Sequence, residues 1–284
     1  MNNHLSAINY SELELIFCLK ILKLNSLHYG YWRPGDEINI TNLKKAQERY
    51  VRNLVKFIPR GIKDVLDVGC GVGDNAAALA KKGYRVIGLT PDKHQYKILK
   101  SINRENISFE LKKFENFITV EKFDCILMSE SSNYFDMDIG LKKSKDLLKE
   151  NGYLLVANMF RMTESKEFSG THVESEWAKC AEKYGFKVIQ REDITQNVLP
   201  TLVFGEKIYQ EYLVPIEEII DGYFKKSSLI RAKIIEFIFA KDVKRLFSVR
   251  DYLFERLNSR LFNEKAKYLI YLLQLPQQVD GSLG

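Results

Sequence analysis

Between Val65 and Ala80 the chain reads VLDVGCGVGDNAAALA, and this stretch limits the possible folds more than any other. An apolar run of strand length leads into glycines at alternate positions, Gly69, Gly71 and Gly73, and an alanine-rich helical run follows. Glycine lets a strand turn sharply into a helix, and it lets the backbone approach a ligand that any Cβ would repel. The usual occupant of such a loop is a small anionic or nucleoside-bearing cofactor. The dinucleotide fingerprint requires a further glycine where Asp74 stands, so a diphosphate there would meet a carboxylate. The loop favours a cofactor without a diphosphate and argues against a nicotinamide oxidoreductase.

From Val65 onward apolar segments alternate with helical ones. Hydrophobic periodicity predicts strands over 65–69, 84–90, 107–111, 123–130, 152–160 and 186–194, with helices over 74–83, 91–103, 138–152 and 174–185. The alternation predicts an α/β fold, a Rossmann-like, doubly wound and mostly parallel sheet whose ligands sit beyond the strand C-termini. Two helices precede it. One is the apolar stripe from Leu13 to Leu24; the other covers 42–58, with Thr41 as its cap and Pro59 and Gly61 as its end. Between them lies SLHYGYWRPGDEINI, dense in aromatics. Past Glu206 the pattern reads as helix alone, over 225–247, 249–262 and 263–274, and REDITQNVLPTL before it resembles the late strand and following loop of the family named below. The expected division is N-terminal helices with an aromatic lid over 1–60, a cofactor-binding core over 61–205, and a helical C-terminal elaboration over 206–284. That elaboration is expected to roof the pocket or to form a homodimer interface.

Composition removes several classes. The formal charge is +6, but 37 acidic residues are interleaved with 43 basic ones, which describes a mixed solvated surface rather than a nucleic-acid footprint. Cys18, Cys70, Cys125 and Cys180 are far apart and form no CxxC pair, so neither a metal site nor a disulfide framework is expected, and a reducing cytoplasm fits. The opening MNNHLSAINYSELELIFCLK lacks the order of a secretory signal. No apolar run approaches the roughly 20 residues of a transmembrane helix.

Strand, loop, helix and second strand together resemble the class I S-adenosylmethionine-dependent methyltransferases, over about 27–202. Within that class the resemblance is to the small-molecule subgroup of cyclopropane fatty acid synthases and the sterol and tocopherol methyltransferases. It implies a seven-stranded sheet, S-adenosyl-L-methionine as cofactor and S-adenosyl-L-homocysteine as product. DVGCGVG matches the first motif of the class, so Asp67 would orient the cofactor's ammonium group, while Gly69, Gly71 and Gly73 would lie against its amino-acid part and ribose. Many members end the second strand with an acid on the ribose. GLTPDKHQ resembles instead the cyclopropane subgroup, implying Thr90 and Gln95 on the ribose, with Asp92 the alternative if the turn is shifted. LKKFENF resembles the segment that flanks adenine, with Phe114 supplying the aromatic face and Glu115 or the backbone beside it addressing the exocyclic amine. The commoner pattern has an Asp where Lys113 stands. Ser129, at the end of the fourth strand, is also assigned to the cofactor.

Methyl transfer from a sulfonium is an in-line displacement, so holding the acceptor behind the methyl group and excluding water supply much of the rate. A base is needed only when the acceptor loses a proton. The end of the fourth strand, MSESSNYF, is expected to build the acceptor site, with HYGYW closing over it as a lid. His28, Glu130 and His172 are the candidate bases, in that order, and Tyr29, Tyr31, Trp32, Asn133 and Tyr134 the candidate acceptor contacts. Tyr31 and its aromatic neighbours serve equally well as pins that hold the lid. Cyclopropane synthases carry a Glu where Asn133 stands, so simple O-, N- or C-methylation is expected. Amino-methyltransferases of nucleic acids place two prolines and an aromatic after this strand, and SSNYF has no proline. The expected acceptor is a small, partly apolar metabolite of natural-product or lipid-related biosynthesis. The alternative is a non-catalytic binding or assembly module that keeps the fold.

Overall fold

In the computed structural model of the protein, residues 15–216 and 257–277 are described, with Glu12, Glu218, Ile219 and Gly222 besides. A short π-helix, Ile16–Ile21, leads into the irregular aromatic segment, and helix α1 (Ile40–Phe57) follows. Its cap is Asn39, whose side chain accepts the Asn42 N–H at 2.9 Å, and not Thr41. The core then alternates: β1 (Asp64–Val68), α2 (Asp74–Lys81), β2 (Arg85–Thr90), α3 (Lys93–Leu99), β3 (Ile107–Leu111), β4 (Phe123–Ser129), α4 (Met137–Leu147), β5 (Leu148–Arg161), α5 (Glu174–Lys183) and β6 (Lys187–Asp193). After it come α6 (Thr195–Ile208), α7 (Ser259–Lys265) and β7 (Ala266–Gln274).

The seven strands form one sheet in the order β3-β2-β1-β4-β5-β7-β6. The first five in that order run parallel; β7 enters between β5 and β6, antiparallel to both. One face packs Val65, Leu127, Leu155 and Ile270 against Tyr50 and Leu54 of α1, Leu79 of α2 and Val198 of α6. The other packs Leu66, Met128, Val156 and Leu269 against Leu141 of α4 and Trp177 of α5. With helices on both faces, the central strands lose the in-out alternation and read as continuous apolar runs. The strand order reverses direction between β1 and β4, and their C-terminal ends open the crevice where doubly wound sheets bind ligands.

Two expectations about chain segments are corrected. The stretch 263–274 is not a helix: its last nine residues are β7, paired over its whole length with β5, so the sheet extends beyond the 61–205 core. The residues after β6 form α6 rather than a loop, with Pro200 inside the helix. The predicted helix over 225–247 and most of that over 249–262 lie outside the described residues. All four cysteines are free, and no described helix is long and apolar enough to cross a membrane.

Candidate active site

β1 delivers the glycine loop to the mouth of the crevice. Gly71 has φ +56°, and a Cβ there would meet nothing within 4 Å, because the position faces open space. Gly69 needs its hydrogen for a different reason, since a Cβ would lie 2.5 Å from that of Ser131. The space beyond the loop is a cavity of about 540 Å³, within the range of small-molecule sites. Gly69 and Gly71, Thr90 and Gln95 from β2 and α3, Phe114 and Glu115 from the turn after β3, Ser129 at the end of β4 and Glu130 just past it all line it, together with His28 and Tyr134. The candidate cofactor residues are therefore brought together, with two exceptions. Gly73 packs where a Cβ would strike Leu99 and Ile102 at 2.7 Å, and Asp67 lies buried one position before the lining residue Val68.

Asp67 is nonetheless the most unusual group in the neighbourhood. It is 1% exposed and neither carboxylate oxygen has a hydrogen-bond partner. Burial, followed by the nearby Asp74 charge, pushes its pKa up to about 8. A buried carboxylate with both oxygens orphaned is a costly arrangement that a cationic ligand group would relieve. Thr90 donates its hydroxyl to Gln95 Oε1 at 2.7 Å, so the two expected ribose partners already form one unit. Asp92 is engaged as the cap of α3, accepting the N–H groups of His94 and Gln95. Phe114 is buried against Phe135, with ring centroids 5.3 Å apart.

The lid is stapled from both sides. Gln47 of α1 donates to the His28 carbonyl at 2.8 Å, and Thr201 of α6 accepts from both the Gly30 N–H and the Trp32 indole, at 3.0 and 2.9 Å. His28 sits at the cavity wall with Nε2 2.6 Å from Asp74 Oδ2 and Nδ1 2.7 Å from the Tyr29 carbonyl, while Ser26 donates to the same Asp74 oxygen. Burial opposes charging His28, but the Asp74 carboxylate outweighs it and, helped by Glu130, raises the pKa to about 9. Its ring stacks on Tyr50 at 4.5 Å. Asp74 opens α2, where the helix dipole also favours a negative charge, and His28 helps hold it below the usual carboxylate range against the effect of burial.

Beside this cavity lies a second, of about 90 Å³, lined by Tyr29, Glu130, Asn133, Tyr134, Asn158, Met159, Gly170, Thr171 and Tyr268. Glu130 and Tyr134 belong to both cavities. Glu130 adopts φ +60°, unusual for a residue with a side chain, and its Oε1 accepts the Tyr29 N–H at 2.9 Å and the Tyr268 hydroxyl at 2.7 Å. Asn133 spans the wall: its amide donates to the Met159 carbonyl and its oxygen accepts from the His172 N–H.

Two candidate bases do something other than their ranking suggested, and two candidate aromatics take the pinning role that was their alternative. His28, ranked first as a base, has both ring nitrogens facing acceptors and presents no lone pair. His172 lines neither cavity; its Nε2 lies 2.9 Å from the Ser132 carbonyl and anchors the insertion after β5. Tyr31 and Trp32 line neither cavity either. Trp32 is buried with Leu24, Leu43 and Phe204, and both residues pin the lid. The sequence reading missed Tyr50 and Tyr268 entirely. Tyr50 sits on the apolar face of α1 like any core residue; Tyr268 was hidden by the misassigned strand, although the aromatic and β-branched run YLIY was a signal for it.

In fold and in the glycine loop that faces the cavity the chain resembles the class I small-molecule methyltransferases, a class whose cofactor is S-adenosylmethionine. Residues 65–152 match the methyltransferase domain family. The ubiquinone biosynthesis O-methyltransferase of Pelagibacter ubique (strain HTCC1062) is 25% identical over 178 residues, covering 58% of this chain and 71% of that protein. Methyltransferase GfsG of Streptomyces halstedii is 28% identical over 208 residues, covering 64% and 73%. Among solved structures, geranyl diphosphate C-methyltransferase from Streptomyces coelicolor A3(2), solved with Mg2+, geranyl diphosphate and S-adenosyl-L-homocysteine, superposes with a TM-score of 0.65 at 15% identity, over 95% of this chain and 99% of that one.

Proposed function

We propose that the protein transfers the methyl group of S-adenosylmethionine to an O, N or C atom of a small, partly apolar metabolite. One observation carries this reading: the 540 Å³ cavity and the smaller one share Glu130 and Tyr134 as wall residues, so a nucleoside-sized chamber lies beside a separate polar recess. In the proposed arrangement Gly69 and Gly71 lie along the amino-acid part and ribose, Thr90 and Gln95 bind the ribose hydroxyls, and Phe114 with Glu115 receives the adenine. Asp67, whose two carboxylate oxygens have no hydrogen-bond partner, suits the ammonium group, which would ionise it. The bound cofactor supplies an electrophilic methyl on a sulfonium, and the chain supplies the rest.

The smaller cavity takes the reacting end of the acceptor. Tyr29, Asn133 and Tyr134 contact it there, and Glu130 accepts the proton when the acceptor is a hydroxyl or an amine. Oxygen is the favoured acceptor atom, in keeping with the O-methyltransferase named in Pelagibacter. His28 and His172 act as structural groups. A cytoplasmic location and a homodimer complete the proposal. The test is incubation with methyl-labelled S-adenosylmethionine and a panel of apolar-tailed phenols, alcohols and amines. Label in an O- or N-methyl product is expected; cofactor binding with no labelled product from any acceptor would favour a non-catalytic module.

A further inference from the structure

A run of buried hydroxyls connects the two cavities. Ser129 Oγ, at the wall of the larger one, lies 3.0 Å from Tyr50 Oη; Tyr50 Oη lies 2.7 Å from Tyr268 Oη; and Tyr268 donates to Glu130 Oε1 at 2.7 Å, at the wall of the smaller one. The last bond fixes the direction of the others. A carboxylate oxygen accepts, so the Tyr268 oxygen is left to accept from Tyr50, and the Tyr50 oxygen in turn from Ser129. Each hydroxyl in such a series polarises the next. Tyr50 and Tyr268 are 1% and 0% exposed, come from opposite ends of the chain, and meet edge to face at 6.2 Å. Two fully buried phenols that satisfy each other, and that terminate on a residue with a strained backbone, make a built arrangement rather than filler in the core.

We propose that Tyr50 and Tyr268 are positioning residues that, with Ser129, hold Glu130 as an oriented carboxylate between the two cavities. The inference rests on the reading that the smaller cavity receives the methyl acceptor. The other titratable groups around Glu130 are His28 and Tyr29 from the lid, Asp74 of α2 and Tyr134 of the turn after β4; Asn158 of β5 and Thr171 of the insertion are uncharged neighbours. His28, as an imidazolium, favours the ionised Glu130 and Asp74 opposes it. The hydroxyl series adds a directional bond to one oxygen, which neither charge provides. It also links the cofactor side of the site to the acceptor side through atoms that take no part in the displacement.

The test needs no acceptor. In protein labelled with 13C at glutamate carboxyls, the Glu130 resonance is identified by its loss in Glu130→Gln, and its titration midpoint is compared in the wild type, Tyr268→Phe, Tyr50→Phe and Ser129→Ala. Removing a donor to a carboxylate raises its pKa. The midpoint is expected to rise by about one to two pH units in Tyr268→Phe, and by about 0.3 unit in Tyr50→Phe, which never touches Glu130. Ser129→Ala, which creates the least disturbance in the core, should shift it in the same direction by less. An unchanged midpoint in Tyr50→Phe would overturn the series as a unit, and an unchanged midpoint in Tyr268→Phe would overturn it altogether. S-adenosylhomocysteine binding, measured on the same four samples, separates this failure from failure of the methyltransferase reading, which would show as absent binding in the wild type.

Discussion

His28 Nε2 lies 2.6 Å from Asp74 Oδ2, and this contact joins the lid to the first residue of the helix that follows the glycine loop. With the Tyr29 carbonyl 2.7 Å from Nδ1, both ring nitrogens must carry hydrogen, and the residue is an imidazolium. Its pKa rises from 6.5 to about 9 on folding, so its stabilisation is complete below about pH 6.5 and is lost as pH rises through 9. The contribution is about 3 kcal/mol at most. Thermal unfolding should show stability declining between pH 6.5 and 9, with a flatter profile across that window in His28→Gln. A His28 NMR titration midpoint near 6.5 would contradict the pair.

Asp67 gives a second pH-linked expectation. Its pKa near 8 makes it a neutral acid at pH 7 when no cation is near. An ammonium group drawn to its orphaned oxygens would ionise it, so cofactor-product binding at pH 7 should release close to one proton. Calorimetry in phosphate and Tris buffers, which differ in ionisation enthalpy, measures this directly. Asp67→Asn should release none, and a wild-type release near zero would remove Asp67 from the cofactor site.

Glu130 and His172 separate function from anchorage. Once an acceptor is in hand, Glu130→Gln should lower kcat by about 10²- to 10⁴-fold for a hydroxyl or amine acceptor, with the affinity for S-adenosylhomocysteine kept within a few-fold. His172→Ala removes the tie to the Ser132 carbonyl and should lower Tm while changing kcat by much less. Equal losses in the two variants would mean that the small cavity has been misread.

The lid depends on Thr201. Its hydroxyl accepts from both Gly30 and Trp32, so Thr201→Val leaves two donors unmatched and should cost about 2 kcal/mol of stability. Because the lid carries His28 to the cavity, affinity for S-adenosylhomocysteine should fall as well. Denaturant unfolding and calorimetry on one preparation test both effects.

Much of this site was legible because it is local. VLDVGCGVG encodes strand, turn and cradle in nine residues, and Thr90 and Gln95 stand five residues apart in GLTPDKHQ, although their ribose roles came from the resemblance alone. Partnerships between distant segments left no such trace. His28 and Asp74 are separated by α1 and β1, and Tyr50 and Tyr268 by nearly the whole chain. β7 was misread for a physical reason: a strand buried on both faces presents a continuous apolar run, which periodicity alone cannot tell from a buried helix. The loop expected after β6 rested on a resemblance, and α6 runs there instead with Pro200 inside it.

The most direct test of the whole account is calorimetric titration of the purified protein with S-adenosylhomocysteine, with NAD in parallel and Gly71→Arg as the control. At φ +56°, an arginine on that loop projects into the space the cofactor is assigned. The account predicts that the wild type binds the nucleoside and not NAD, and that the folded Gly71→Arg protein binds neither. A folded wild type that ignores S-adenosylhomocysteine, or a Gly71→Arg variant that binds it unchanged, would contradict the assignment of the cavity to the cofactor.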